Sequence, residues 1–282
     1  MNLHNFVELC MCPAPLGNEH TAKQLIRSML PNGLEISEDV AGSAIVRKPG
    51  EKPGLTFFAS LSQPVVLVTG KKSDGAWELQ PLGTGKTLEP MNGWKVMDSG
   101  GAQAKLEVKD GALRLTEDRG VQIGSLLTRQ PDWTQDVLSV SCAGIEDRVG
   151  CWLLTELLRE MPDVKAEITC IFLAQEQHCT KVAELAMNET DAAVAIRLAS
   201  AKVNDINLTG APVNAGGGPV LKLRERYVST DGRLMDLERM ACREAGVPFQ
   251  YEVLELDVPP SMGTAASWSA ESMFRRKKDG YC

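Results

Sequence analysis

The spacing of apolar residues divides the chain into two textures. Leu3, Phe6, Val7 and Cys10 recur at i, i+3, i+4 and i+7, which predicts a first amphipathic helix. Pro13 and Pro15 end it, and Gly17-Asn18 prepares a second helix through Leu30, stopped by Pro31. Strand patterns follow at 34–40 and 44–47, with a polar hairpin turn at 48–54 and a buried strand at 55–61. From Pro64 to Asp136 no helical period appears. Short strands at 65–68, 77–79, 94–97, 104–108, 113–115 and 120–127 alternate with Gly-containing turns, which predicts a small β-barrel or sandwich. Helix-and-strand alternation then returns. A strand at 137–140 precedes a helix ending at Pro162, with Val149, Trp152, Leu153, Glu156 and Leu157 sharing one side. Strands at 166–174, 192–199 and 220–223 and a helix at 181–187 come next. Asp231 opens a long helix whose apolar side is read as Leu234, Leu237, Met240 and Ala241, and a further strand follows. The expected architecture is an α/β domain made of 1–63 and 137–282, with a β domain inserted at 64–136.

Composition narrows the function classes. With 43% hydrophobic residues, the 282-residue chain can bury a sizeable core. A formal charge of −7 argues against nucleic acid as the main partner. No apolar run reaches the roughly 18 residues of a membrane span, and the N-terminus lacks the basic start of a signal peptide. The eight cysteines include no Cys-x-x-Cys pair, so free thiols in a reducing cytoplasm are expected. His4, His20 and His178 are the only histidines, which limits any metal hypothesis. Pro81-Leu82-Gly83-Thr84-Gly85-Lys86-Thr87 imitates a phosphate-binding loop. The full pattern needs glycine where Gln80 stands, so no nucleotide site is expected there.

Two stretches carry candidate chemistry. Gly144-Ile145-Glu146-Asp147-Arg148 leads into the apolar helix, and carboxylates there suit the positive helix end as a cap. The strand at 166–174 ends in Gln175-Glu176-Gln177-His178. A buried strand that delivers polar residues at its carboxyl end is where open α/β sheets place their chemistry.

These stretches resemble the metal-dependent glutamyl aminopeptidases, the family of the tetrahedral aminopeptidases. The family motif Ala-Leu-Asp-Asn-Arg-x-Gly is answered by Gly144-Ile145-Glu146-Asp147-Arg148-Val149-Gly150, and Gln-Glu-Glu-x-Gly by Gln175-Glu176-Gln177-His178-Cys179. Ala14-Pro15-Leu16-Gly17-Asn18-Glu19, the turn Asp39 to Ser43, Gly216-Gly217-Gly218-Pro219 and the heptapeptide Ala245 to Tyr251 extend the resemblance over the chain, in order. It implies a dinuclear-aminopeptidase-type sheet with flanking helices and an inserted small β-barrel.

The family holds two divalent ions, which polarise a carbonyl and activate a bridging water. Carried over by motif, the first histidine ligand becomes Ser60, with Ser62 at its orienting aspartate. The bridging aspartate becomes Glu146, a glutamate ligand becomes Gln177, and a second aspartate becomes Arg197. Glu176 stands at the general base, and Gly263-Thr264-Ala265 at an altered substrate-side motif. The family's last histidine falls in a strand beyond the position of Cys282. His178 is expected to be exposed or capping rather than a ligand. Serine and amide oxygens are poor replacements for imidazole and carboxylate around zinc or cobalt.

The expectation is therefore an aminopeptidase relative without metal, non-catalytic or strongly altered, binding peptides or partner subunits. The alternatives are a zinc- or cobalt-dependent aminopeptidase with an unusual ligand set, or a structural subunit of a mixed assembly. The resemblance also implies self-association, with Trp77, Trp94 and Trp133 read either as interface aromatics or as core. A guanidinium about 4 Å from a dication would be repelled by several kcal/mol even at an effective dielectric near 20. Arg197 is accordingly expected to take the metal space and hydrogen-bond Glu146, Glu176 or both.

Overall fold

Short apolar runs bounded by turn residues build the centre of the principal sheet. The computed structural model describes residues 3–83, 88–137, 139–161, 163–177, 179, 181–201, 203, 213–225 and 228–254, and the backbone of 267–274. In chain order it opens with helices α1 (Leu3–Met11) and α2 (His20–Met29) and strands β1 (Glu35–Glu38), β2 (Ala44–Lys48) and β3 (Glu51–Ser60). Then come β4 (Val65–Lys71), β5 (Trp77–Leu82), β6 (Lys95–Met97), β7 (Gln103–Lys109), β8 (Ala112–Arg119) and β9 (Leu126–Arg129). The short pair β10 (Thr134–Gln135) and β11 (Val140–Ser141) leads to α3 (Ile145–Glu160), β12 (Ala166–Leu173), α4 (Lys181–Asn188) and β13 (Ala192–Ala201). Last are β14 (Val220–Glu225), β15 (Val228–Ser229), α5 (Gly232–Glu244), β16 (Gln250–Leu254) and β17 (Ser267–Phe274).

Among the described residues the principal sheet has nine strands in the order β1-β2-β12-β3-β13-β17-β14-β15, with β16 on β14. β3 lies parallel to both β12 and β13, so the carboxyl ends of three neighbouring strands point the same way. Alternation along these strands feeds two cores. Ala44, Val46, Ala59, Cys170 and Phe172 meet α1, α2 and α3 through Phe6, Leu9, Ile26, Val149, Trp152 and Leu154. Ile45, Phe58, Ile171, Leu173 and Ala195 meet α4 through Ala186. The strands from β4 to β9 form a separate six-stranded sheet, order β5-β4-β9-β6-β7-β8, around Val66, Val68, Val96, Leu106 and Leu127. Its end strands β5 and β8 touch, so it is a nearly closed barrel.

Several elements depart from the expected pattern. The polar stretch after β2 is no hairpin turn: β12 is inserted between β2 and β3, and β3 already begins at Glu51. Periodicity within a segment cannot reveal that a strand from far along the chain will enter the pair. The strand expected at 137–140 shrinks to Val140–Ser141, and Val137 is fully exposed. The one expected at 120–127 begins only at Leu126, after a turn. On α5 the buried residues are Leu234 and Met235, whereas Leu237 and Met240 are about half exposed at 51% and 49%. Asp231 caps the helix as expected, accepting from the Arg233 N–H, but of the expected apolar side only Leu234 is buried. Trp133 stacks edge-on against Phe6 in the principal core, while Trp77 and Trp94 pack partly buried on the barrel core. Among the described residues no helix is long and apolar enough to cross a membrane.

Candidate functional site

The helix that carries the acidic stretch is held hard against the sheet, and two glycines make that possible. Gly144 caps α3 in a left-handed conformation (φ +71), and a Cβ there would also collide with the Gln63 side chain. Gly150, further along the helix, lies where a Cβ would be 2.6 Å from the Leu198 carbonyl oxygen and 2.8 Å from Ala59 Cβ. Glu146 and Asp147 therefore lie inside the first turn of α3 rather than before it, next to the helix's positive end.

Arg148 fixes the depth of that turn. It is fully buried and donates to the Leu61 carbonyl at 2.6 Å and the Cys12 carbonyl at 3.2 Å. Gln63 continues the tie, accepting from the Ala14 N–H at 3.0 Å. Glu19 performs the same service for the turn after β12. One oxygen of its buried carboxylate accepts from the Gly17 N–H (2.9 Å), the Ser62 hydroxyl (2.6 Å) and the Gln175 N–H (3.1 Å). Gln175 sits at φ +58, a left-handed conformation costly for a residue with a Cβ, and these bonds stabilise it. The turn then delivers Glu176 and Gln177 over the strand ends. Among the described residues, Glu19 and Arg148 are the positioning groups that motif reading did not single out as part of the site, although both belong to quoted motifs.

Charge meets charge above the sheet. Arg197 lies midway along β13, in register with Phe58 of β3, and donates to Glu176 Oε1 at 3.0 Å. Gln177 Nε2 donates to Asp147 Oδ1 at 2.7 Å. Asp147 is buried, and desolvation first, then the neighbouring charges of Glu146 and Glu176, pushes its carboxyl well above the usual carboxylate range. Its Oδ2 has no hydrogen-bond partner among the described residues, and neither does the buried Ser60 Oγ. Burial also raises Glu146, against the pull of Arg129 on β9 and Arg148. The barrel thus borders the site through Arg129 and through Gly83, where an added Cβ would press on Gln177 at 3.0 Å.

Of the residues carried over by resemblance, the structure brings Glu176, Gln177 and Arg197 together with α3. The carboxylate that accepts from Gln177 is Asp147, next in sequence to Glu146, which stands at the position of the family's bridging aspartate. The sequence did hold a signal for this, since Glu146-Asp147 offers two adjacent acids and only helix phase chooses between them. Of the two carboxylates expected to accept from Arg197, Glu176 does so. Gly263, Thr264, Ala265, His178 and residues 84–87 of the false phosphate loop lie outside the described residues.

Known proteins share both the sequence pattern and the fold. A protein of Acetivibrio thermocellus, provisionally named an aminopeptidase, is 24% identical over 264 residues, covering 85% of this chain and 78% of its own. The crystal structure of a TET aminopeptidase from a marine sediment Thaumarchaeota archaeon superposes with a TM-score of 0.81 at 15% identity, over 95% of this chain and 87% of that one. The TET1 peptidase of Pyrococcus horikoshii does so with a TM-score of 0.77 at 19% identity, over 89% and 84%. These likenesses establish the mixed α/β sheet and the nearly closed barrel as a shared fold. The family model for M42 glutamyl aminopeptidases matches residues 109–267, more than half of the chain, and the chain belongs to that family.

Proposed function

We propose that this chain is a non-catalytic or strongly altered member of the M42 family, and that it acts by binding a partner subunit. The observation that carries this reading is the 3.0 Å hydrogen bond between Arg197 and Glu176. The family's chemistry needs a carboxylate base beside a metal-activated water, and here the candidate base faces a permanent cation. The donor set fits two dications poorly. Gln177 contributes a neutral amide already committed to Asp147, and Ser60 a hydroxyl.

A peptide cleft beside Glu176 would leave that carboxylate open to solvent, yet it is only 9% exposed and covered by its ion pair. This favours a partner-binding role over peptide capture. The P. horikoshii TET1 peptidase assembles into a tetrahedron or a large octahedral shell, and self-association is proposed here by analogy. The exposed Leu237, Met240 and Val247 on and after α5 supply apolar surface for it. The free thiols of the described cysteines suit a reducing, cytoplasmic setting.

The decisive experiment is elemental analysis of the purified protein, together with an aminopeptidase assay in added zinc or cobalt. Neither stoichiometric metal nor turnover is expected. Stoichiometric metal with turnover would overturn the reading in favour of an enzyme with an unusual ligand set. Light scattering at micromolar concentration should give a mass above that of one chain, and a monomer would count against self-association.

A further inference from the structure

We infer that Cys10 and Cys142 form a reversible redox pair, a dithiol that closes to a disulfide and clamps α1 to the turn entering α3. The two residues are 132 positions apart in sequence, yet the Cys142 thiol lies 3.6 Å from the Cys10 carbonyl oxygen, to which it donates. Both side chains lie in the same buried cluster of the principal core. Neither is part of the site above the strand ends, and every described cysteine is free.

The surroundings differ for the two sulfurs in the way that exchange chemistry needs. Cys142 stands three residues before the first residue of α3, at the positive end of the helix. The Cys10 side chain first, then backbone donors at Asp132 and Ala143, bring its thiol down to about 7 against the opposing effect of burial. Cys10 is fully buried and held protonated by the neighbouring Cys142 and by desolvation, against the pull of Arg148. Cys142 is the slightly more accessible of the two, at 7% against 0%, so a reagent meets the better nucleophile first.

The oxidant is a low-molecular-weight disulfide of the glutathione type. The Cys142 thiolate attacks one sulfur of that disulfide and expels one thiolate, leaving a mixed disulfide on Cys142. That bond removes the negative charge beside Cys10, which can then lose its proton to the released thiolate. The Cys10 thiolate attacks Cys142 Sγ and expels the second small thiolate. One disulfide is reduced to two thiols and the protein dithiol is oxidised to one disulfide, so electrons and protons balance. Closure requires the sulfurs to come to about 2.05 Å of each other.

The test incubates the full chain with reduced and oxidised glutathione at graded ratios, quenches free thiols by alkylation, and maps peptides by mass spectrometry. The expected result is a peptide joining Cys10 to Cys142, lost on adding dithiothreitol. Cys10→Ser should instead trap glutathione on Cys142, while Cys142→Ser should leave Cys10 unmodified. Cys12→Ser should keep the linkage, which tests the half-buried thiol nearest in sequence. The proposal is overturned if Cys10 and Cys142 of the wild-type protein stay fully alkylatable while exposed Cys179 is glutathionylated. It is equally overturned if Cys12 takes Cys10's place in the bond. The wild-type result stands whether or not a serine variant folds.

Discussion

Two groups of buried polar residues sit a few residues apart, and they are built on opposite terms. On the scaffold side, Glu19 and the two terminal nitrogens of Arg148 meet complementary groups, hydroxyl and backbone N–H for the one, backbone carbonyls for the other, and Arg148 Nε alone of that guanidinium has no partner among the described residues. On the acidic side, Glu146, Asp147 and Glu176 crowd like charges, and Asp147 Oδ2 and Ser60 Oγ are left without partners among the described residues. Buried polar groups add to stability when satisfied and cost it when they are not. The comparison therefore separates residues that hold the turns in place from residues the turns force together.

The largest effect should come from breaking the scaffold. Arg148→Met keeps the aliphatic stem and strands the Leu61 and Cys12 carbonyls, each worth about 1–3 kcal/mol when buried and unpaired. A loss of about 3 kcal/mol or more in urea unfolding is expected, and a loss below about 1 kcal/mol would remove Arg148 from this role. Glu19→Ala comes next, at about 2–3 kcal/mol, because three donors lose one acceptor and the strained Gln175 turn is released. Faster amide exchange at Gln175 should accompany it; unchanged exchange would show that the turn holds itself.

On the acidic side, Arg197→Met should cost about 1–2 kcal/mol by leaving Glu176 unpaired, the pair being partly buried with side chains 26% and 10% exposed. Adding Glu176→Gln should restore part of that loss. If the two changes simply add in a double-mutant cycle, the residues do not act as a pair. The smallest effect, and the opposite sign, is expected for Asp147→Asn. A carboxyl whose folded pKa is raised holds its proton when the unfolded chain has released it. Its contribution is fully present below the ordinary carboxylate range and is lost as pH rises towards the folded value. At neutral pH Asp147→Asn should be neutral or stabilising by up to about 1 kcal/mol, with a flatter fall of stability from pH 4 to pH 7. A steeper fall in the variant would mean that Asp147 is held ionised.

Much of this was legible in residue order. Gly150 stands at the motif's glycine, where a Cβ would strike the β3–β13 surface, and a motif records such a steric demand directly; Gly144 answers the motif's alanine, and its close approach to Gln63 shows only in the structure. Arg197 was legible as a cation among acids because charge is a property of the residue itself. The acid that faces Gln177 was less legible. Adjacent Glu146 and Asp147 differ by about 100° of helix rotation, and the docking of α3 on the sheet sets the phase. The buried face of α5 was misread for the same reason, since Leu237 and Met240 are at helical spacing yet lie exposed.

The sequence by itself determined the alternation of helices and strands, the barrel-forming run between two α/β stretches, and the set of side chains available for chemistry, because propensity and periodicity act over a few residues. The tertiary structure alone decided which distant residues meet. It inserted β12 between β2 and β3, set Glu19 under the Gln175 turn, and brought Cys10 against Cys142. Such contacts depend on how layers stack and in what register strands pair, and no local pattern encodes a partner more than a hundred residues away.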